Sequence, residues 1–305
     1  MTDTKTAVIT GANAGLGFAT TRALAEKGYH IVMACRNANK ANKARQQIIE
    51  QLPQAKLTIL SLDVSEPESI HMFAQQFQTV VGSLDLLINN AGIAVIPLAR
   101  NSLGYEMQLA TNYLGAFLLT GLLLPFFNTQ SQTRIVNVGS LAHRLGKFDF
   151  NDINWESTDY NKWKAYAHSK LALQTFTLEL NRRLKDNHSH IIALGAHPGF
   201  AYTEIGTNNA TLEPNSVIGK WFHKQMKRLI PSATNAAQAI ILAATDANMK
   251  GGEYFGPSRF LEISGKPGKA KVDLKARDTH TAAKLWALSE SLTRISYQET
   301  LINSR

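Results

Sequence analysis

The sequence predicts a doubly wound α/β fold: a parallel sheet of about seven strands with helices on both faces. Short runs such as Ala7-Val8-Ile9 and Ile31-Val32-Met33-Ala34 are apolar throughout, the pattern of strands buried on both faces. Longer amphipathic segments alternate with them, as crossover helices do between parallel strands. Glycine, proline and capping residues fall at the junctions, where a strand–helix alternation needs its turns.

The elements follow in order. A first strand at 7–9 leads into a helix over 16–27, and Gly28 stands where a left-handed residue ends a helix. A second strand at 31–34 precedes a helix over 39–51 that stops before Pro53, and a third strand covers 57–60. Ser65-Glu66-Pro67-Glu68 reads as a capping box with proline in the first turn, so the next helix starts there. Strand four lies at 84–88, a long apolar helix at 105–127, strand five at 135–138, a second long helix at 161–184, strand six at 191–196 and a short seventh at 253–255. The alternation breaks at 200–232, a stretch rich in Gly, Asn, Thr and Pro that also carries Phe200, Tyr202, Trp221 and Phe222. Long loops of this kind are usually functional, and this one follows strand six, so it is expected to close over a substrate as a lid, the alternative being a short helix over 221–230 packed on the core. With no repeat, linker or low-complexity tract, residues 1–305 are expected to form one domain.

Composition bounds the function. The chain has 305 residues, a formal charge of +9 and one cysteine, Cys35, so a disulfide framework or multi-cysteine metal site is excluded and a reducing, cytoplasmic setting is expected. The residues after Met1 are polar and run straight into a strand, so no secretory signal is expected. The longest apolar stretch, 114–127, is short for a bilayer and is interrupted by glycines and Pro125, so it reads as a buried helix and not an integral membrane segment. The basic residues are scattered, with modest clusters at 220–228 and 266–277 and no interleaved aromatics, so no nucleic-acid partner is expected. The two long helices either pair across a homodimer or cover the sheet.

The glycine-rich turn Thr10-Gly11-Ala12-Asn13-Ala14-Gly15-Leu16-Gly17 follows the first strand and opens the first helix. Glycines there let the backbone approach a pyrophosphate, and the helix N-terminus supplies amide donors, so Gly11, Asn13, Ala14, Gly15, Leu16 and Gly17 are candidate cofactor residues. Strand two ends Ala34-Cys35-Arg36. An NAD site places an acid there for the ribose 2′-hydroxyl; a guanidinium suits a 2′-phosphate, so NADP(H) is expected, with Lys40 as a second contact. Asp63 either accepts from an adenine amino group or shapes the turn ahead of Ser65, and Val64 can pack on the ring. Asn90, Ala91 and Gly92 end strand four, where small residues leave room for a ribose. Pro198, Gly199 and Thr203 follow strand six and can border the nicotinamide.

Tyr166-Ala167-His168-Ser169-Lys170 is the most informative constellation. Residues four apart share a helix face, and an ammonium beside a phenol stabilises phenolate, which fits a proton shuttle. Ser140, at the end of strand five, can donate to a substrate carbonyl. Asn112 lies inside an apolar helix; it reads either as a satisfied buried amide or as a residue that breaks the helix locally and holds a water for proton relay. His143, His168 and His197 lack metal spacing, so no metal is expected.

Taken together, Thr10 to Gly17, Asp63-Val64, Asn89 to Gly92, Asn112, Ser140, Tyr166, Lys170, Pro198-Gly199 and Thr203 resemble the short-chain dehydrogenase/reductase family in its own motif order, over roughly the first 200 residues. Ala34-Cys35-Arg36, Tyr166 to Ala172, His197-Pro198-Gly199, Glu253 to Pro257 and Leu285 to Glu290 resemble its retinol dehydrogenase and protochlorophyllide reductase branch. The resemblance implies a catalytic tetrad of Asn112, Ser140, Tyr166 and Lys170. It also implies NADP(H) as cofactor and a lipophilic carbonyl or alcohol as substrate.

Overall fold

In a computed structural model of the protein, residues 4–129, 132–199, 233–259, 261–298 and 300 are described. The expected lid at 200–232, with Thr203, lies outside them.

The described strands join in one sheet of eight, ordered β3-β2-β1-β4-β5-β6-β7-β8. They are β1 (Thr6–Thr10), β2 (His30–Cys35), β3 (Leu57–Ser61), β4 (Leu86–Asn89), β5 (Thr133–Val138), β6 (Ile191–Ala196), β7 (Tyr254–Arg259) and β8 (Ser264–Lys269). The first seven pair in parallel; β8 returns antiparallel beside β7. The chain order reverses between β1 and β4, the crevice where ligands bind in open α/β sheets.

Neighbouring residues of one strand enter opposite cores. Val8, Val32 and Ile135 join a cluster with Phe73 and Phe77 of α3 (Pro67–Val80), Phe117 of α5 (Gly115–Leu123) and Phe176 of α6 (Lys162–Asp186). Ile9, Met33 and Val136 join another with Leu24 of α1 (Gly15–Glu26), Ile48 of α2 (Ala38–Gln51) and Ile240 of α7 (Ala233–Thr245). Burial on both faces is why these strands carry no polar alternation.

Three sequence expectations need correction. The strand count is eight because Ser264–Lys269, reading SGKPGK, was hidden by its glycines, proline and lysines; such a sequence is tolerated at a sheet edge. Ser65 does not cap α3: its hydroxyl donates to Asp63 Oδ1 at 2.6 Å, and Glu66 holds the cap position without a side-chain bond. The helix expected over 105–127 is broken. It comprises α4 (Met107–Leu109), a π turn (Ala110–Leu114), α5 and a 3₁₀ turn (Leu124–Phe126). The π turn contains Asn112, the residue expected to disturb the helix.

The helices α5 and α6 cover the sheet and are themselves covered. Trp286, on the C-terminal helix α9 (Thr279–Thr293), which follows the short α8 (Leu274–Arg277), meets Phe117 with ring centroids 5.2 Å apart and Phe176 at 5.8 Å. Tyr297 donates to the Phe117 carbonyl at 2.6 Å, and Arg183 lies over the Trp286 ring at 4.2 Å.

Candidate active site

The β1–α1 turn is shaped for close backbone approach. Gly11 and Gly15 take φ of 65° and 52°, in the left-handed region. A Cβ on Gly17 would lie 2.1 Å from the Gly11 carbonyl, so only glycine lets α1 start this near β1. Ala14 occupies the cap of α1 and makes no side-chain cap bond, and no acid stands in the first turn. The first amides of α1 therefore point outward without an internal acceptor, as an anion cradle requires. Leu16 is turned the other way: its side chain packs with Ala236, Ala237 and Ile241 of α7, leaving its amide to serve the turn. Asn13 is only partly buried beside it.

Thr10 ties this turn to the end of β4. Its hydroxyl accepts from the amides of Asn90 and Ala91 at 2.9 and 2.8 Å, while the Asn90 side chain donates to the Thr10 carbonyl at 2.8 Å. The Asn89 amide is occupied elsewhere, donating to Thr120 and Asn137 at 3.0 and 2.8 Å.

At the ends of β2 and β3, Arg36 Nη1 lies 3.2 Å from Asp63 Oδ2. The Arg36 side chain is 77 % exposed. Asp63 also accepts from the Ser65 amide and hydroxyl, so the turn-shaping role read from sequence is present. Burial works against its ionisation, but the Ser65 bonds and the Arg36 guanidinium prevail and hold its carboxyl below the ordinary value. The Val64 carbonyl is pressed against α5, where a Cβ on Gly115 would stand only 1.9 Å away. Cys35 is buried beneath the turn, and burial pushes its thiol up to about 11, so it is inert at neutral pH. Lys40 donates its amide to Asn37, the cap of α2, at 2.9 Å.

The second half of the site gathers along α6. Tyr166 and Lys170 lie one turn apart on it. Lys170 is buried, and its ammonium donates to the Val138 carbonyl at 3.0 Å. Burial, with no facing carboxylate among the described residues, pushes that ammonium down to about 8. Burial raises the Tyr166 phenol above its ordinary value, opposed by a hydrogen bond with the Ser140 side chain. Ser140 leaves β5 two residues after Val138, and its Oγ accepts from the Ala142 amide at 3.2 Å. Tyr166, Lys170 and Ser140 are thus together.

Asn112 joins them through its surroundings. Its Oδ1 accepts from the Ile93 amide at 2.8 Å, and its Nδ2 donates to the Ile93 carbonyl and to Ser169 Oγ, both at 2.9 Å. Ser169 in turn donates to the Tyr166 carbonyl at 2.8 Å. Both amide protons are committed; Oδ1 keeps one lone pair. Gly92 sits in the gap, where a Cβ would lie 3.0 Å from Asn112 Oδ1 and 3.5 Å from Lys170 Nζ. Pro198 and Gly199 follow β6, and Gly199, at φ 72°, accommodates the Ile263 carbonyl of the β7–β8 hairpin.

Sequence reasoning missed three supports. Ser169 is one; Thr10 as the link between β1 and β4 is another. The third is His143, whose Nδ1 bonds the Ser140 carbonyl at 2.6 Å. The Ser-x-x-His spacing of a tight turn was its only available signal.

Comparison with known proteins agrees with this geometry. Residues 5–214 match the family described as short chain dehydrogenase. The chain is 35% identical to retinol dehydrogenase 13 of Homo sapiens over 94% of this chain and 84% of that protein. It is 33% identical to retinol dehydrogenase 12 of Mus musculus over 96% and 88%. Among solved structures, an uncharacterised protein from Mycobacterium Paratuberculosis superposes with a TM-score of 0.78 at 36% identity, covering 96% of this chain and 94% of that one. L-sorbose reductase from Gluconobacter frateurii, solved with NADPH and L-sorbose, shares the fold with a TM-score of 0.66 at 20% identity, covering 82% and 94%. The chain belongs to the short-chain dehydrogenase family, as an oxidoreductase of the branch that contains the retinol dehydrogenases.

Proposed function

We propose that the protein is an NADP(H)-dependent oxidoreductase that interconverts a lipophilic aldehyde or ketone and its alcohol in the cytoplasm. The observation that carries this reading is the convergence of Tyr166, Ser140 and a buried Lys170 on one side of the crevice. The opposite end offers an open helix N-terminus and the exposed Arg36 guanidinium.

These residues fit NADP(H). Gly11, Gly15 and Gly17 form the cradle for a pyrophosphate, and Arg36 can turn from Asp63 to a 2′-phosphate, leaving the carboxylate for the adenine amino group. Val64 borders the adenine position, while Asn90, Ala91 and Gly92 leave room for a ribose. NADP(H), held there, supplies or accepts the hydride.

The chain's own groups manage the proton. Ser140 donates to the carbonyl oxygen and polarises it, and Tyr166 delivers its phenolic proton to that oxygen in reduction and recovers it in oxidation. Lys170 stabilises the phenolate left behind. Asn112 fixes Ile93 and Ser169 around the pair and offers its remaining Oδ1 lone pair, facing Lys170 across Gly92, to a relay water.

A lipophilic substrate is supported by the relatives, whose named substrate, retinol, is an apolar alcohol. The test is NADPH oxidation against aldehydes, ketones, quinones and retinoids, with NADH in parallel. Turnover of apolar carbonyls with NADPH preferred is expected. No turnover in any class, or equal use of NADH, would overturn the proposal.

A further inference from the structure

Tyr254, on β7, stands in the Glu253 to Pro257 motif but has no role among the site residues above, yet its ring reaches the turn that carries Ser140. The sheet register explains how. Tyr254 pairs with Gly195 on β6, which pairs with Asn137 on β5, two residues before Gly139. Glycine at both 195 and 139 clears a lane across two strands. A Cβ on Gly195 would lie 2.5 Å from Tyr254 Cδ2, and one on Gly139 would lie 2.5 Å from the Tyr254 hydroxyl oxygen. The ring therefore runs over β6 and delivers its oxygen to the residue before Ser140. It does so under α6, since Gln174, one turn beyond Lys170, faces the same Gly195 position at 3.1 Å.

Two histidines hold the ring. His143 meets it edge-on with centroids 5.4 Å apart, and His197 lies at 5.1 Å. His143 also bonds the Ser140 carbonyl at 2.6 Å, so one imidazole touches both the turn and the phenol. His197 Nε2 is 3.4 Å from Glu262 Oε2, and Glu262 is ion-paired with Arg144. Burial pushes His197 down to about 3 and lowers His143, so both rings are neutral at physiological pH.

The Tyr254 hydroxyl is buried and has no hydrogen-bond partner among the described residues. An unpaired buried hydroxyl is a net cost to folding, and phenylalanine would fill the same lane without it. Its charged and titratable neighbours are Glu262, Arg144, His143, His197 and, across the lane, Tyr166.

We propose that Tyr254 is a positioning residue of the reaction: its ring, laid in the lane left by Gly195 and Gly139, fixes the Ser140 turn, and its unpaired hydroxyl donates to the Ser140–Tyr166 pair when Tyr166 has given up its proton. This rests on the roles proposed for Tyr166 and Ser140.

Tyr254→Phe tests it, because the ring and its packing remain. Tyr166→Phe is assayed beside it, with melting temperature, NADPH affinity and the pH profile of alcohol oxidation recorded for each. The inference expects Tyr254→Phe to melt no lower than wild type and to bind NADPH unchanged. It expects kcat to fall by about ten- to a hundredfold, the worth of one hydrogen bond to a charged group. The acidic limb of the oxidation profile moves to higher pH, since a donor to phenolate is gone. Wild-type kcat and pH profile in Tyr254→Phe, with Tyr166→Phe inactive, would make Tyr254 packing alone and overturn this inference only. Full activity in Tyr166→Phe would remove the reading on which it rests.

Discussion

Arg36 and Asp63 face each other at 3.2 Å across the ends of β2 and β3, a cation that is mostly exposed against a carboxylate that is mostly not. The pair is exposed enough to contribute little to stability. On the function proposed above, its guanidinium would exchange Asp63 for a cofactor phosphate.

Arg36→Asp is expected to weaken NADPH binding at least tenfold and to shift preference towards NADH. It removes a charge-assisted contact worth about 1.5–3 kcal/mol and adds a repelling charge. Titration of NADPH and NADH by fluorescence checks it; unchanged discrimination would show that Arg36 does not read the 2′-phosphate.

Gly17→Ala tests the cradle. Its Cβ would stand 2.1 Å from the Gly11 carbonyl and 2.6 Å from the Asn90 amide nitrogen, so α1 must move away from β1. A lower melting temperature and at least tenfold weaker NADPH binding are expected, because the same displacement spoils packing and anion approach (tenfold is about 1.4 kcal/mol). Wild-type cofactor affinity in a folded variant would argue against the cradle.

Lys170→Met is expected to abolish turnover yet raise stability at neutral pH. Burial lowers the Lys170 ammonium to about 8 in the folded chain, against about 10.4 in an unfolded one. The charged form is thus penalised on folding. That penalty is fully present below pH 8 and is relieved as pH rises towards 10.4, where the unfolded chain still holds the proton that the folded one has lost. The variant should gain about 1–3 kcal/mol at pH 7, less whatever the unpaired Val138 carbonyl costs, and the gain should shrink by pH 10. Urea unfolding of both proteins at the two pH values reads this directly. A variant less stable than wild type at pH 7 would show that Lys170 is held for packing.

Trp286→Ala is expected to cost about 3–5 kcal/mol, the range for truncating a buried aromatic. It should also uncover Phe117 and Phe176 on the helices α5 and α6. Sedimentation should then show more self-association than wild type. A monodisperse variant would mean that α9 is not what keeps that face from pairing.

The sequence was most legible where one physical demand decides a residue. Strands buried on both faces must be apolar throughout, so Val8 and Ile9 announce β1 although they enter different cores. A close approach demands glycine at 17, and the proton shuttle proposed for α6 would need Tyr166 and Lys170 one turn apart. Legibility failed where tertiary contacts overrode local pattern. The SGKPGK strand gains its place only by pairing at the edge beside β7. Ser65 turns back to Asp63 instead of capping α3. The break at Ala110–Leu114 was foreshadowed by Asn112, but its partners Ile93 and Ser169 lie 19 and 57 residues away in the chain, beyond any local pattern. Tyr254 is the extreme case, since its meaning depends on one glycine on β6 and another just past the end of β5.

The most direct test of the central claim is the turnover number of Tyr166→Phe with NADPH and an apolar carbonyl, measured beside its NADPH affinity. Only the transferable proton is removed, so kcat should fall by a factor on the order of 10² to 10⁴ while the cofactor binds as before. Full turnover in that variant would contradict the assignment of Tyr166 as the acid and base of the reaction.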